Sequence, residues 1–304
     1  MAGFVIFIFG AVIVGAGAML SPAYPTRQPR IGVAAALALA LVMGGAVFYG
    51  TAFGWNTLVV DYMLFVLVVG IFLGGTLSYG QKRAEARGEE LLDEDQGWPG
   101  LWDLVGLLGA FLAFALVFAL VQPAPADLWA QSAEQIRAGA GLYAVPVAPA
   151  APVLTAYLST QLGESAAVTL GAVAVVVAGV MAWVGYDLGA EVRDKQLGRL
   201  VALACAGVAL VLLLGGQTGL LMACLWLLVL GFATVRYIRT PERIDLLAAG
   251  LMVGAAGLAL PVAAVVGVGV LGWGAYRARS PRFALIGLAI ALIATLPTVW
   301  TSLT

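Results

Sequence analysis

Ten blocks of apolar residues follow one another along this chain, at about 3–20, 31–53, 58–79, 101–122, 164–186, 198–215, 217–236, 244–258, 260–276 and 283–300. Most are close to the twenty residues that a helix needs to cross about 30 Å of hydrocarbon. No soluble core hides so much apolar surface. The chain is 62% hydrophobic and 10% charged, whereas a soluble domain has about 25% of its residues charged. The expected fold is therefore all-α, a polytopic transmembrane bundle of about ten helices. The break between the eighth and ninth blocks is the short stretch Leu258, Ala259, Leu260 and Pro261. One continuous helix there would run to about 50 Å, so two helices folded back at the proline are expected. The first block lacks a preceding basic residue and ends in Ser21 and Pro22 without a small-x-small cleavage pattern. It reads as a retained helix.

Charge placement orients the bundle, because loops rich in Lys and Arg stay in the cytoplasm. With ten spans and both termini outside, the cytoplasmic loops carry Arg27 and Arg30; Lys82, Arg83 and Arg87; Arg193, Lys195 and Arg199; Arg236, Arg239 and Arg243; and Arg277, Arg279 and Arg282. Only Arg137 then falls outside. One helix more or fewer would scatter the later clusters onto alternate faces. Trp55, Trp98, Trp102, Trp129, Trp273 and Trp300 fall near predicted helix ends, where interfacial belts place them. The expected location is the cell membrane, with the basic loops cytoplasmic.

Composition also narrows the chemistry. Histidine is absent, which removes the commonest protein ligand for haem, copper and catalytic zinc, and no cofactor or metal is expected. No basic cluster with interleaved aromatics suggests nucleic acid. Cys205 and Cys224 lie inside apolar blocks and read as small buried hydrophobes.

Three regions emerge: a three-helix membrane module at 1–81, a charged cytoplasmic linker at 82–100, and a seven-helix module at 101–304. The linker turns acidic through Glu89, Glu90, Asp93, Glu94 and Asp95, as a solvated run does. Residues 123–160, rich in Pro and Ala, are expected to lie along the outer interface. Within them Leu128 to Ala138 has helical spacing, with Trp129 at headgroup depth, and Gly139-Ala140-Gly141 would end the helix.

In the seven-helix module, a first helix leads to Asp127, then to the segment Trp129 to Arg137, then to Gly139-Ala140-Gly141-Leu142-Tyr143 and to Pro146, Pro149 and Pro152. Farther on come Gly215-Gly216-Gln217-Thr218-Gly219 and the paired blocks divided at Pro261. This order resembles the polytopic glycosyltransferases that use polyprenyl-phosphate sugars, the C-type fold, over about two hundred residues. The resemblance implies a loop carboxylate just outside the membrane that acts as general base or orients the acceptor. On that reading Asp127 is the candidate base and Glu134 its partner. Arg137 is the external cation for a phosphate, and Tyr143 and Gln217 line the substrate side. Such a carboxylate works when partial burial raises its pKa and fixes its reach to an acceptor hydroxyl. The chain departs from the family in having short outer loops and Leu258-Ala259-Leu260, where Lys or Arg often precedes the paired-helix proline.

Each residue has a plainer reading beside this one. Asp127 next to Pro125 is also what a solvated loop acid looks like, and Glu134 and Arg137, three apart on a helix, are placed to pair with each other. Gln217 suits the exposed backbone of a tight turn. Asp61, near the outer interface, is placed to reach headgroups or cap its helix. Gly70 with Gly74 and Gly250 with Gly254 are spaced for close helix approach, within the chain or against another membrane subunit. A transporter would need broken helices at the midplane, and the break at Pro261 lies at a helix end. Two readings of function follow: a glycosyltransferase-like module acting on a lipid-linked sugar, and a non-catalytic scaffold subunit of a larger membrane complex. Membrane lipids are partners in both.

Overall fold

The computed structural model describes residues 2–20, 30–56, 100–121, 127–142 and 144–303, together with positions 61, 65 and 69. Among them the fold is entirely helical: α1 (Ala2–Leu20), α2 (Ile31–Phe53), α3 (Leu101–Val121), α4 (Asp127–Arg137), α5 (Ala150–Leu162), α6 (Ala166–Val192), α7 (Lys195–Leu214), α8 (Thr218–Arg239), α9 (Arg243–Ala259), α10 (Pro261–Arg277) and α11 (Pro281–Leu303). Positions 61, 65 and 69 in the third apolar block are helical. Gly70, Gly74 and the acidic linker lie outside the described residues. Five described helices, α2, α3, α6, α7 and α8, are long and apolar enough to cross a membrane.

The bundle is built around α6. Its sequence is apolar all round, which suits a helix surrounded by others, and Thr169 to Asp187 are buried without interruption. Helices α1, α2, α3, α5, α7 and α8 pack against it. Small residues set these distances. A Cβ on Gly179 would sit 2.4 Å from the Phe111 ring of α3, and one on Gly185 would sit 2.7 Å from Cys205 Sγ of α7. Residues of α1 and α2 share one continuous apolar core with α5 to α11.

Leu260 is extended between α9 and α10, and Pro261 opens the second of the pair. Its missing N–H is no loss at a helix start, and its ring prevents one continuous helix. Gly250 and Gly254 face α11: Cβ atoms there would meet Ile290 at 2.6 Å and Ala294 at 2.7 Å. That close face is covered within the chain.

The stretch 123–160 divides in two. Its first part holds α4, which ends at Gly139 with φ 97°. Its second part does not lie along a surface. Pro149 caps α5 and Pro152 sits in its first turn, where proline is tolerated, and every residue from Ala150 to Ala156 is buried. Gly163, left-handed at φ 67°, closes α5 by donating to Ser159 O.

The described basic residues of the predicted cytoplasmic loops lie at one end. Arg30 bonds Glu191 at 2.7 Å. Arg239 bonds the last carbonyls of α6, Glu191 O and Val192 O, the latter at 2.6 Å. Buried Arg236 meets Asp245 at 3.1 Å and Glu242 at 3.1 Å. Tyr237 stacks on Phe283 and hydrogen-bonds Ser280, joining α8 to the start of α11. Cations near helix C-termini also complement the helix dipole.

Candidate functional site

At the opposite end, α4 lies across the N-termini of α6 and α8. Its buried positions are Ser132, Ala133 and Ile136, and Gln131, Glu134 and Gln135 face outward. Trp129 lies over α8: a Cβ on Gly219 would sit 2.5 Å from the indole. Glycine at 219 is thus what allows the ring to rest on that helix. This pins α4 to the bundle.

Glu134 holds the second anchor. Its Oε1 accepts the Ala166 N–H at 3.1 Å, which caps α6 from outside together with Ser165, whose Oγ accepts from Val168 N. A carboxylate at a helix N-terminus meets both the unpaired amides and the positive end of the dipole. Its Oε2 lies 3.6 Å from Arg137 Nη1, with both side chains partly exposed, a weak surface pair. Beside them an open cleft of about 470 Å³ is lined by Gln131, Glu134, Gln135 and the residues from Ser165 to Ala167.

The other sequence candidates are not all gathered here. Asp127 opens α4, but its side chain lies outside the described set, as does Tyr143 altogether. Gln217 sits before α8 on the exposed surface, and its side chain makes no capping bond. Its backbone N–H donates to Leu212 O in the turn that closes α7.

A polar group that the sequence did not assemble lies at the end of α5. Asp61 Oδ1 accepts from Tyr157 OH at 2.6 Å, and Gln161 Nε2 reaches both carboxylate oxygens at 2.7 Å. Burial, then the bond to Asp61 and its charge, push the Tyr157 phenol above its ordinary range. Asp61 thus joins the third apolar block to α5.

Among the described residues no cluster of three or more His, Cys, Asp or Glu side chains is placed to hold a metal ion. The arrangement at this end offers, among the described residues, amides and a carboxylate lining an open cleft, with the Arg137 guanidinium 3.6 Å from that carboxylate. Such a set can hydrogen-bond hydroxyl-rich or phosphate-bearing ligands. Comparison with family models, curated proteins and solved structures finds no match to this chain.

Proposed function

We propose that the chain is a ten-span protein of the cell membrane, both termini outside, laid out like the polyprenyl-phosphate-sugar glycosyltransferases and acting on a lipid-linked sugar at the end that carries α4. The observation that carries this reading is the cleft between α4 and the start of α6, at the end opposite the basic residues. Its polar lining of Gln131, Glu134, Gln135 and Ser165 suits sugar hydroxyls. Arg137, 3.6 Å from the Glu134 carboxylate, suits a phosphate, and Asp127 at the first position of the same helix is the candidate base. The helix order adds support: an apolar helix, an acid, an amphipathic helix and a proline-led helix that enters the bundle.

The second reading, a non-catalytic scaffold subunit, is favoured by the engagement of Glu134. Its carboxylate is held by Ala166 N–H and Arg137, so it has a structural task independent of any substrate.

One experiment separates the two. The protein is reconstituted in vesicles with a radiolabelled polyprenyl-phosphate hexose, and retention of the lipid and release or transfer of sugar are measured. The enzymatic reading expects retention, and turnover that falls at least about 100-fold in Asp127→Asn. Absence of both retention and turnover in the unaltered protein overturns it. Cysteine-scanning accessibility from the two sides tests the topology, with residues 131 and 217 expected outside and 194 and 279 inside.

A further inference from the structure

At the basic end a separate cleft of about 320 Å³ opens sideways between α3, α6 and α7. Gly106 and Ala110 of α3 face Ala202 and Ala206 of α7 across it, so its walls are apolar and narrow in side-chain volume. Its rim faces the surroundings: Trp102 is 80% exposed and Leu203 72%. Both α3 and α7 are apolar enough to cross a membrane, so this opening is directed at lipid.

The mouth is polar and ordered. Asp103 accepts Arg199 Nε at 2.6 Å, Tyr186 OH at 3.1 Å and Gly100 N–H at 3.1 Å. Three donors satisfy its carboxylate, and the Nε bond holds Arg199 at the mouth. Arginine has five N–H donors in a rigid fork, and here only Nε is engaged among the described residues. The Arg199 side chain is 58% exposed, so its Nη donors are left for an outside acceptor. Lys195 stands one turn earlier on the same face of α7, with no ion pair among the described residues. Two cations thus stand above an apolar slot.

We propose that this cleft binds an anionic phospholipid, its phosphate held by Arg199 and Lys195 and an acyl chain lying between α3 and α7. A free phosphate would match the mouth but leave the slot unfilled. A neutral lipid would match the slot but not the second cation. Basic pockets between spanning helices are the physical setting in which anionic headgroups are retained. The site is remote from α4 and stands whether or not the sugar-lipid reading does.

The test uses the full chain in phosphatidylcholine vesicles with and without phosphatidylglycerol, followed by gentle extraction and native mass spectrometry of the retained lipid. Phosphatidylglycerol is expected to be retained over phosphatidylcholine. Lys195→Gln should lower its retention about fivefold, the equivalent of one cation near a headgroup. Gly106→Leu fills the slot, and a Cβ there meets nothing within 4 Å, so it should abolish retention while the melting temperature in phosphatidylcholine alone is kept. Gly207→Ala, on α7 with equally open space, should behave like the unaltered protein. Equal retention of the two lipids, retention that survives Gly106→Leu, or retention untouched by Lys195→Gln overturns the proposal.

Discussion

Asp187, one turn and a half from the end of α6, accepts the backbone N–H of Val33 at 3.0 Å, so the start of α2 is capped by a different helix. Arg30, at the N-cap of α2, has no side-chain cap of its own. The bond needs the two backbones to be close, and Gly32 permits it: a Cβ there would lie 2.8 Å from the backbone of Trp183 and Val184. Because the first N–H groups of a helix have no internal partner, a buried carboxylate is an effective substitute. It also ties α2 to the central helix.

Asp187→Ala should therefore destabilise the protein by about 2 kcal/mol, the typical cost of a buried donor left without its acceptor. Asp187→Asn, which keeps an acceptor oxygen, should recover part of that loss. Thermal unfolding in detergent checks both. Equal stability of Asp187→Ala and the unaltered protein would show that the contact contributes nothing.

The contact also marks where sequence reading stops. Block length and breakers made α1, α2, α3 and α6 to α11 legible, and Pro261 correctly separated α9 from α10. Helix α4 was legible from its spacing and from Gly139. Helix α5 was not, because Pro149 and Pro152 read as irregular chain when they stand at a helix start. Asp187 and Val33 are 154 residues apart, and no local spacing announces such a pair. Asp103, Asp187 and Asp245 are visible as acids inside or beside apolar blocks. Their partners Arg199, Val33 and Arg236 follow only from which helices pack together. At the α4 end, the pairing of Glu134 with Arg137 was readable from a separation of three, whereas the bond to Ala166 depends on how α4 lies over α6.

The buried pair of Arg236 and Asp245 gives a second test. Asp245 is fully buried and Arg236 nearly so. Asp245→Ala should cost about 3 kcal/mol, because it removes the buried counter-charge and leaves the guanidinium with the partly exposed Glu242 at 3.1 Å. Replacing both by Arg236→Met and Asp245→Leu should recover most of this. Unfolding in a graded denaturing detergent measures the series, and a double variant no better than the single would contradict a charge-based origin.

Two glycines, Gly179 on α6 and Gly207 on α7, predict an asymmetric response to alanine. Gly179→Ala forces a Cβ to within 2.4 Å of the Phe111 ring, whereas Gly207→Ala meets nothing within 4 Å. The first should destabilise by about 1–3 kcal/mol through overpacking. The second should stabilise slightly, up to about 1 kcal/mol, through helix propensity. Melting temperatures of the two variants should move in opposite directions.

Tyr157 donates to Asp61 as a neutral phenol, and its folded pKa is raised above the unfolded value. A raised pKa means that this contribution is complete below the ordinary tyrosine value of about 10 and is lost as pH climbs through the folded value. Tyr157→Phe should therefore cost about 1.5–3 kcal/mol at neutral pH, as for a bond to a charged acceptor. The difference should shrink in alkali. Unfolding followed from pH 7 to 11 checks the sign, and a penalty that grows with pH would refute it.

The competing roles of Glu134 can be separated by pairing it with its neighbour. If Glu134 serves as a helix cap, Glu134→Ala should cost about 1 kcal/mol of stability through the lost Ala166 N–H bond. Arg137→Ala should cost only a few tenths, as exposed pairs do (about 0.2–1 kcal/mol). Glu134→Gln keeps a carbonyl oxygen for Ala166 N–H and should restore the cap while removing the charge. Retention of the polyprenyl-phosphate hexose then separates the functional roles. A Glu134→Gln protein of normal stability that still retains and turns over the lipid confines Glu134 to capping and leaves Asp127 as the acid of the site. Normal stability with turnover lost places the Glu134 charge in the chemistry. An Arg137→Ala protein that keeps its stability but releases the lipid assigns the guanidinium to the phosphate, because a surface pair of this strength affects folding too little to account for such a loss.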